Sequence, residues 1–442
     1  MNGRLLPPGR HTVGAAMALA IRIVSAAIAF LSQILLARWL GADDFGVLAA
    51  LLVWVNVLGT VSTLGFATSV LRFLPQYLTE AALPLVRGFH RTGMLIALLA
   101  GTAITALGLL LLAGFPTLLA DPYAGPARMA LLSLPAFALA DFLDGVGRSR
   151  GWVVLALAPP YIIRPLMILL GVALLERSGA PLDATGAMLV AAAAIWISAL
   201  AQLALQARPL AVAMHAGPLA YDLRLWTRVS LPMLLLDGVA LLLLNIDIIL
   251  LGFFIGPGEI ARYFAAQRII SLVSFIHFAV AAAAVSHFAT SHVAGDRQAL
   301  RQEFGRCRAL AFYPSLVLTV LLLTLGKPLL MLFGDDFVSA WPVMAILGVG
   351  LLARAAAGPA QSLLVSTGHH NATVLVLCAT LSINCCLGIA LIPRLGLIGG
   401  ALASMLATLS ESAMFALLQR RLHAGQFPPV TGAAHGIDEA AA

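Results

Sequence analysis

Twelve apolar runs, each about twenty to twenty-seven residues long, follow one another along the 442 residues of this chain. At 1.5 Å rise per residue, a helix of about twenty residues crosses a hydrocarbon layer of roughly 30 Å. No water satisfies the backbone inside that layer, so only helices and closed barrels span it, and runs of this length demand helices. The spacing predicts spans at 13–36, 47–70, 92–115, 128–147, 152–175, 186–205, 229–255, 264–288, 309–333, 341–364, 372–392 and 397–418. The longest connections, 71–91, 206–228 and 289–308, are too short to fold as separate domains. Only 10% of the residues are charged and the mean hydropathy is +1.00, whereas soluble domains carry about 25% charge. The expected class is an all-α polytopic membrane protein of about twelve transmembrane helices.

Lys and Arg are retained on the cytoplasmic side of spanning helices. With the N-terminus inside, sixteen basic residues fall in cytoplasmic segments, among them Arg4, Arg10, Arg148, Arg150, Arg420 and Arg421, against five outside. The outer loops are acidic, with Asp43, Asp44, Asp121, Asp183, Glu259, Asp335 and Asp336. Both termini are therefore expected in the cytoplasm. The net charge of +7 follows from topology, and no nucleic-acid partner is needed to explain it. The run 13–36 exceeds the 7–15 residues of a signal-peptide core and reads as the first span. Cys307, Cys378, Cys385 and Cys386 have neither disulfide-framework nor metal-ligand spacing and read as small packing residues; no metal site is expected.

The stretch 229–270 joins two helices through the turn Gly256-Pro257-Gly258 and carries Asp237, Asn245, Asp247 and Arg268. Its IILLGFFIGPGEIARYFAA parallels ILLARWLGADDFGVLAALL at 34–52 with an offset of 215, close to half the chain. Two related halves are expected: a cytoplasmic segment 1–12, a first lobe at 13–205, a linker at 206–228, a second lobe at 229–418, and a polar, disordered cytoplasmic tail at 419–442.

Ionisable residues inside spans are costly, so they face protein or water-filled cavities. Arg22, Ser25, Ala29 and Gln33 fall at i, i+3, i+7 and i+11 on one narrow face of the first helix, which suits a solvated cavity. Arg22, Arg164 and Arg354 lie near mid-span. Guanidinium groups offer paired donors to phosphate oxygens, so these three, with Gln33 and Arg268, form a candidate site for an anionic, phosphate-bearing headgroup. The alternatives are pairing with an intramembrane acid that locks two helices and, for Arg268, snorkelling to the outer headgroups. Asp141 and Asp144 share a face with Arg148 and read as a local ion pair at the rim. Asp237 and Asp247 lie deeper, about 80° apart around one helix, and do not share a single ligand. Either of them, or Glu411 between Ser410 and Ser412, is a candidate to carry a proton or a sodium ion. Pairing with an arginine is the competing account. No Gly-rich nucleotide loop is present, so no cofactor is expected and an ion gradient is the remaining drive.

LLARWLGADDFGVLAALL with STLGFATSVLRFLPQ, then NIDIILLGFFIGPGEIARYFAAQRI, GKPLLMLFGDDFVSAWPVMAILGVGLL and INCCLGIALIPRLGLIGGALASML stand in register from about residue 13 to 418. Together they resemble the polysaccharide transporter family of bacterial O-antigen and exopolysaccharide flippases (Wzx-type), within the multidrug/oligosaccharidyl-lipid/polysaccharide exporter superfamily. The resemblance implies two six-helix lobes around a central cationic cavity, the MATE-like fold. It implies a multi-pass protein of the bacterial inner membrane that moves an undecaprenyl-diphosphate-linked oligosaccharide outward, without catalytic residues. It assigns the first-helix arginine to Arg22 and a seventh-helix acid to Asp247. Implied partners are the polyprenyl-linked substrate, membrane lipid, a polysaccharide polymerase and a chain-length regulator. A multidrug cation antiporter would share the fold but should line its cavity with more acids and aromatics. A peptidoglycan-precursor flippase usually carries two further helices. A membrane glycosyltransferase or polymerase would need an acidic motif in a soluble domain or a large outer loop, and no outer loop here exceeds about a dozen residues.

Overall fold

A computed structural model describes residues 8–423 apart from 118, 120, 180, 215–216 and 295–296; within its helices the side chains of 8–20, 22–23, 211–214, 286, 289, 292–293, 297 and 422–423 lie outside the description. In order, the helices are α1 (Pro8–Ser62), α2 (Phe66–Thr79), α3 (Leu83–Gly114), α4 (Ala124–Ser149), α5 (Val153–Ala158), a π turn (Pro159–Ile163), α6 (Arg164–Arg177), α7 (Ala184–Met214) and α8 (Leu223–Phe254). There follow α9 (Pro257–Ile270), α10 (Leu272–Val293), α11 (Arg297–Thr324), α12 (Gly326–Met331), a 3-10 turn (Asp335–Ala340), α13 (Trp341–Ala357), α14 (Ala360–Ser366) and α15 (His370–His423).

Among the described residues, nine helices are long and apolar enough to cross a membrane, or ten when the bent pair α9 and α10 counts as one span. Two of the nine cannot be single spans. α1 has 55 residues and α15 has 54, about 80 Å of helix each against a hydrocarbon layer of roughly 30 Å. Each breaks once, at Gly41 (φ 76°) and Gly396 (φ 57°), in the left-handed region that glycine enters without steric cost. Each is therefore long enough for two spans, and the described residues form an all-helical membrane protein with about twelve spans. The tail expected to be disordered lies outside the described residues from 424 onward, and α15 continues as helix to His423.

The second span departs from its expected range of 47–70. Its helix stops at Ser62, Gly65 adopts φ 79° against the Ser230 carbonyl, and α2 begins afresh as an amphipathic helix. α2 buries Phe66, Ser69, Val70, Phe73, Leu74 and Tyr77 on one face. The apolar run conceals this break because the buried face of α2, Phe66, Val70, Phe73 and Leu74, continues the hydrophobic residues of the span before it.

The chain forms two compact units: Met1–Leu242 with Gly256–Ala261, and Leu243–Ile255 with Arg262–Ala442. The border falls inside α8, beyond the 206–228 connection. The head of α8 is anchored in the first unit, where Trp226, fully buried, packs with Phe66, Phe73, Tyr77, Phe89 and Phe142. Trp226 Nε1 donates to the Tyr77 hydroxyl at 2.9 Å. The segment before it is held too, by Ala220 N–H on the Pro84 carbonyl (3.0 Å) and Arg87 Nε on the Pro218 carbonyl (2.9 Å). The turns related by the 215-residue repeat meet in this unit: a Cβ on Gly46 would fall on the Pro257 carbonyl, and one on Gly258 would meet the Asp43 carboxylate.

Candidate functional site

In the first unit the polar residues gather around a break that the sequence places before Arg164. Pro159 and Pro160 lack the N–H groups that would serve the carbonyls of Leu155 and Ala156 in an i to i−4 helix. The chain passes through a π turn, after which Arg164 N–H reaches back to the Pro159 carbonyl. Two fully buried glutamines of α7 supply what the prolines withhold. Gln202 Nε2 donates to the Ala156 carbonyl at 3.3 Å, and Gln206 Nε2 to Leu155 at 3.4 Å and Leu143 at 3.0 Å. Arg164 thus leaves a fixed turn near the middle of the span Val153–Arg177, with its guanidinium 5.2 Å from the centre of the Phe137 ring.

The acids of this unit lie nearby. Asp144 accepts from Arg148 Nε at 2.9 Å, the rim pair expected from their spacing. Asp141 is within electrostatic reach of Asp144, Arg148, Asp237 and Arg164. Asp237 accepts from the Thr68 hydroxyl, while the adjacent Ser69 and Ser230 hydroxyls bond each other at 2.7 Å. Gln33 is half-buried on α1. The Arg22 side chain lies outside the described residues.

The second unit contains two further polar centres. Asp247, 7% exposed, accepts from Tyr263 Oη at 3.0 Å, Asn384 Nδ2 at 3.1 Å and Gln267 Nε2 at 3.4 Å; Asn384 also reaches Ser404 Oγ at 3.5 Å. Every one of these partners is neutral, so the carboxylate is solvated by dipoles contributed from α9 and the two arms of α15. In the other centre, Arg354 Nη2 meets Glu411 Oε2 at 2.6 Å, an ion pair joining α13 to α15. Helix α13 ends at Ala357 before Gly358 (φ 73°), which places Arg354 in its last turn and not at mid-span. Arg268 is exposed and stacks on the Phe264 ring at 4.6 Å.

Asp237 and Asp247, on one helix, therefore have separate partner sets in separate units, and Arg354 and Glu411, read apart in the sequence, are brought together. Thr68, Tyr263, Gln267, Ser404, Gln202 and Gln206 carry polar contacts that no motif announced. The glutamines had a signal nonetheless: two amides four residues apart in an otherwise apolar span, in a chain whose neighbouring span carries two adjacent prolines. Among the described residues no three His, Cys, Asp or Glu side chains come together as a metal-ligand set.

Residues 12–292 match the model of the family described as polysaccharide biosynthesis protein. The chain belongs to that family. Residues 233–389 also match the MatE family model, so the two matches overlap across α8 to α10 and together reach from α1 into α15. No curated protein sequence matches the chain.

Solved structures agree on the fold of this family member. An inward-facing multidrug resistance MATE family transporter of the multidrug/oligosaccharidyl-lipid/polysaccharide exporter superfamily aligns with a TM-score of 0.77 at 14% identity, covering 92% of this chain and 98% of the other. The lipid II flippase MurJ in an inward closed conformation aligns at 0.72 and 14% identity, covering 93% and 88%. A superfamily transporter from Pyrococcus furiosus, described by the reversed polarity of its binding pocket, aligns at 0.65 and 14%, covering 93% and 95%. The family match and the series of long apolar helices make the chain a multi-pass membrane protein of the polysaccharide biosynthesis family, with a MATE-like fold.

Proposed function

We propose that the chain is a flippase that carries undecaprenyl-diphosphate-linked oligosaccharide units from the cytoplasmic to the periplasmic leaflet of a bacterial inner membrane, with both termini in the cytoplasm. The observation that carries this reading is membership of the polysaccharide biosynthesis family over residues 12–292. Arg164, held mid-span behind a π turn, supports it, because a guanidinium maintained at that depth has a use when the cargo is anionic. Arg22, Arg164, Arg354, Arg268 and Gln33 bind the diphosphate headgroup, whose two phosphates suit paired N–H donors. The polyprenyl tail stays in the lipid. The glycan serves O-antigen, capsule or exopolysaccharide assembly, with a polymerase and a chain-length regulator downstream. A proton or sodium gradient resets the cycle, and Asp247, buried among neutral dipoles, is the group that takes the ion, with Asp237 and Glu411 as the other acids at depth.

The test is mass spectrometry of lipids extracted from cells depleted of the protein. Accumulation of one polyprenyl-diphosphate oligosaccharide, shielded from glycan-modifying reagents outside the cell and cleared by wild type but not by Arg164→Ala, is the expected result. Absence of any lipid-linked intermediate, together with altered sensitivity to cationic drugs, would replace this reading with a multidrug antiporter.

A further inference from the structure

The second unit contains a small, mostly apolar cavity into whose lining Arg354 also enters. It lies between α10, α11 and α13, is lined by Ser274, His277, Phe278, Ser315, Leu351 and Arg354, and has room for a single water-sized group. Three polar atoms of its lining have no partner: His277 Nδ1, Ser315 Oγ and Arg354 Nε. Ser315 is fully buried. A hydroxyl on a spanning helix ordinarily turns back onto a carbonyl three or four residues earlier, as Thr380, Ser382, Ser410 and Ser412 do in the same unit. Ser315 does not. Buried polar groups are kept where something pairs with them, so three such atoms around one void call for an occupant.

Arg354 brings a positive charge to the lining and calls for an acceptor beside it. Arg354 Nε–H is a donor only, the Ser315 hydroxyl donates freely, and His277 Nδ1 donates in one neutral tautomer and in the cation. Ser315 and His277 can each donate or accept, so an acceptor oxygen drawn to Arg354 Nε–H can take hydrogen bonds from both. Glu411 engages the same guanidinium through Nη2 at 2.6 Å, while its neighbour Nε has no partner. Arg354 is the charged group within electrostatic reach of His277.

We infer that Arg354, Ser315 and His277 form a subsite for one phosphate oxygen of the diphosphate headgroup, with Glu411 competing for the same guanidinium. The inference rests on the flippase reading and adds two ligands and a competitor to it. It also makes a prediction of opposite sign from a simple helix lock. If Glu411 only clamps α13 to α15, removing its charge weakens the protein and gains nothing. If Glu411 competes with the anion, removing its charge frees Arg354 and tightens anion binding.

The experiment uses the full-length protein in lipid nanodiscs, titrated with farnesyl diphosphate, inorganic pyrophosphate and farnesol, with binding read from tryptophan fluorescence. Both diphosphates are expected to bind and farnesol to fail. Ser315→Ala and His277→Leu should each weaken diphosphate binding roughly tenfold, and Glu411→Gln should tighten it. Diphosphate binding that is unchanged in Ser315→Ala and His277→Leu and not tightened in Glu411→Gln overturns the subsite and leaves the flippase reading standing. Should Glu411→Gln fail to fold, the other two variants decide. Binding of pyrophosphate without farnesyl diphosphate keeps the subsite but makes it one for a free anion, which removes the lipid headgroup from the account. Failure of both diphosphates to bind wild type sinks the subsite and the flippase reading together.

Discussion

Gln202 on α7 donates its side-chain amide to the carbonyl of Ala156 at 3.3 Å, the acceptor whose α-helical donor would be the nitrogen of Pro160. A proline in one span is thus answered by a glutamine in the next. Leaving a buried carbonyl unserved costs about 1–3 kcal/mol, so Gln202→Leu should lower the apparent unfolding midpoint in detergent. Pro160→Ala restores the backbone N–H. The double variant Pro160→Ala, Gln202→Leu is accordingly expected to recover the stability that Gln202→Leu loses. Equal midpoints for the double variant and Gln202→Leu would show that the amide serves something other than the proline break.

The close approach of Gly46 to the Pro257 carbonyl supplies a second test. Any side chain at 46 must displace backbone, whereas nothing lies within 4 Å of a Cβ added at Gly256. Gly46→Val should therefore destabilise the first unit by about 1–3 kcal/mol, the usual cost of forced overpacking, and Gly256→Ala should be close to neutral. Both are read from thermal aggregation of the detergent-solubilised protein. A neutral Gly46→Val would mean that the two repeat-related turns are not packed together in the membrane.

Much of this architecture is written in the sequence, and the omissions share a cause. Hydropathy places the spans because the membrane penalises every unsatisfied backbone group, a constraint that acts residue by residue. The repeat reaches the two turns around Gly41 and Gly256, although only Gly41, at φ 76°, needs glycine for its backbone. Polar pairing between helices leaves no local signature. Arg354 and Glu411 are 57 positions apart in sequence, and Asn384 stands 137 from Asp247. Each looks like an isolated ionisable or amide residue until the helices are assembled. The Gly65 break is hidden for a different reason: α2 hides its inner face in aromatic residues and so reads as a continuation of the span before it.

The Trp226–Tyr77 contact fixes where α8 begins, since it buries an indole N–H against a phenol oxygen within an aromatic cluster. Trp226→Phe removes the donor and keeps much of the ring, and Tyr77→Phe removes the acceptor. A double-mutant cycle on these two should return a coupling of about 1 kcal/mol, the net worth of a buried neutral hydrogen bond. Trp226→Ala should cost about 3–5 kcal/mol through the cavity it opens. Strict additivity of the two phenylalanine variants would reduce the contact to packing alone.

Asp247 is the acid proposed above to take the coupling ion. Its carboxylate accepts from Tyr263, Asn384 and Gln267, and none of these brings a positive charge. Asp247→Asn keeps the size and removes the charge, while turning one acceptor into an amide donor that faces other donors. In proteoliposomes, flipping by this variant should lose its response to an imposed proton or sodium gradient and slow at least about tenfold, the loss produced by 1.4 kcal/mol at a charged hydrogen-bonded site, with diphosphate binding retained. Asn384→Asp moves a carboxylate to the partner position 3.1 Å away, so the exchange Asp247→Asn, Asn384→Asp should return part of the gradient response. A full response in Asp247→Asn would transfer the coupling role to Asp237 or Glu411. A wild type whose flipping ignores both gradients would remove ion coupling from the mechanism and leave Asp247 as a polar clamp between α8, α9 and α15.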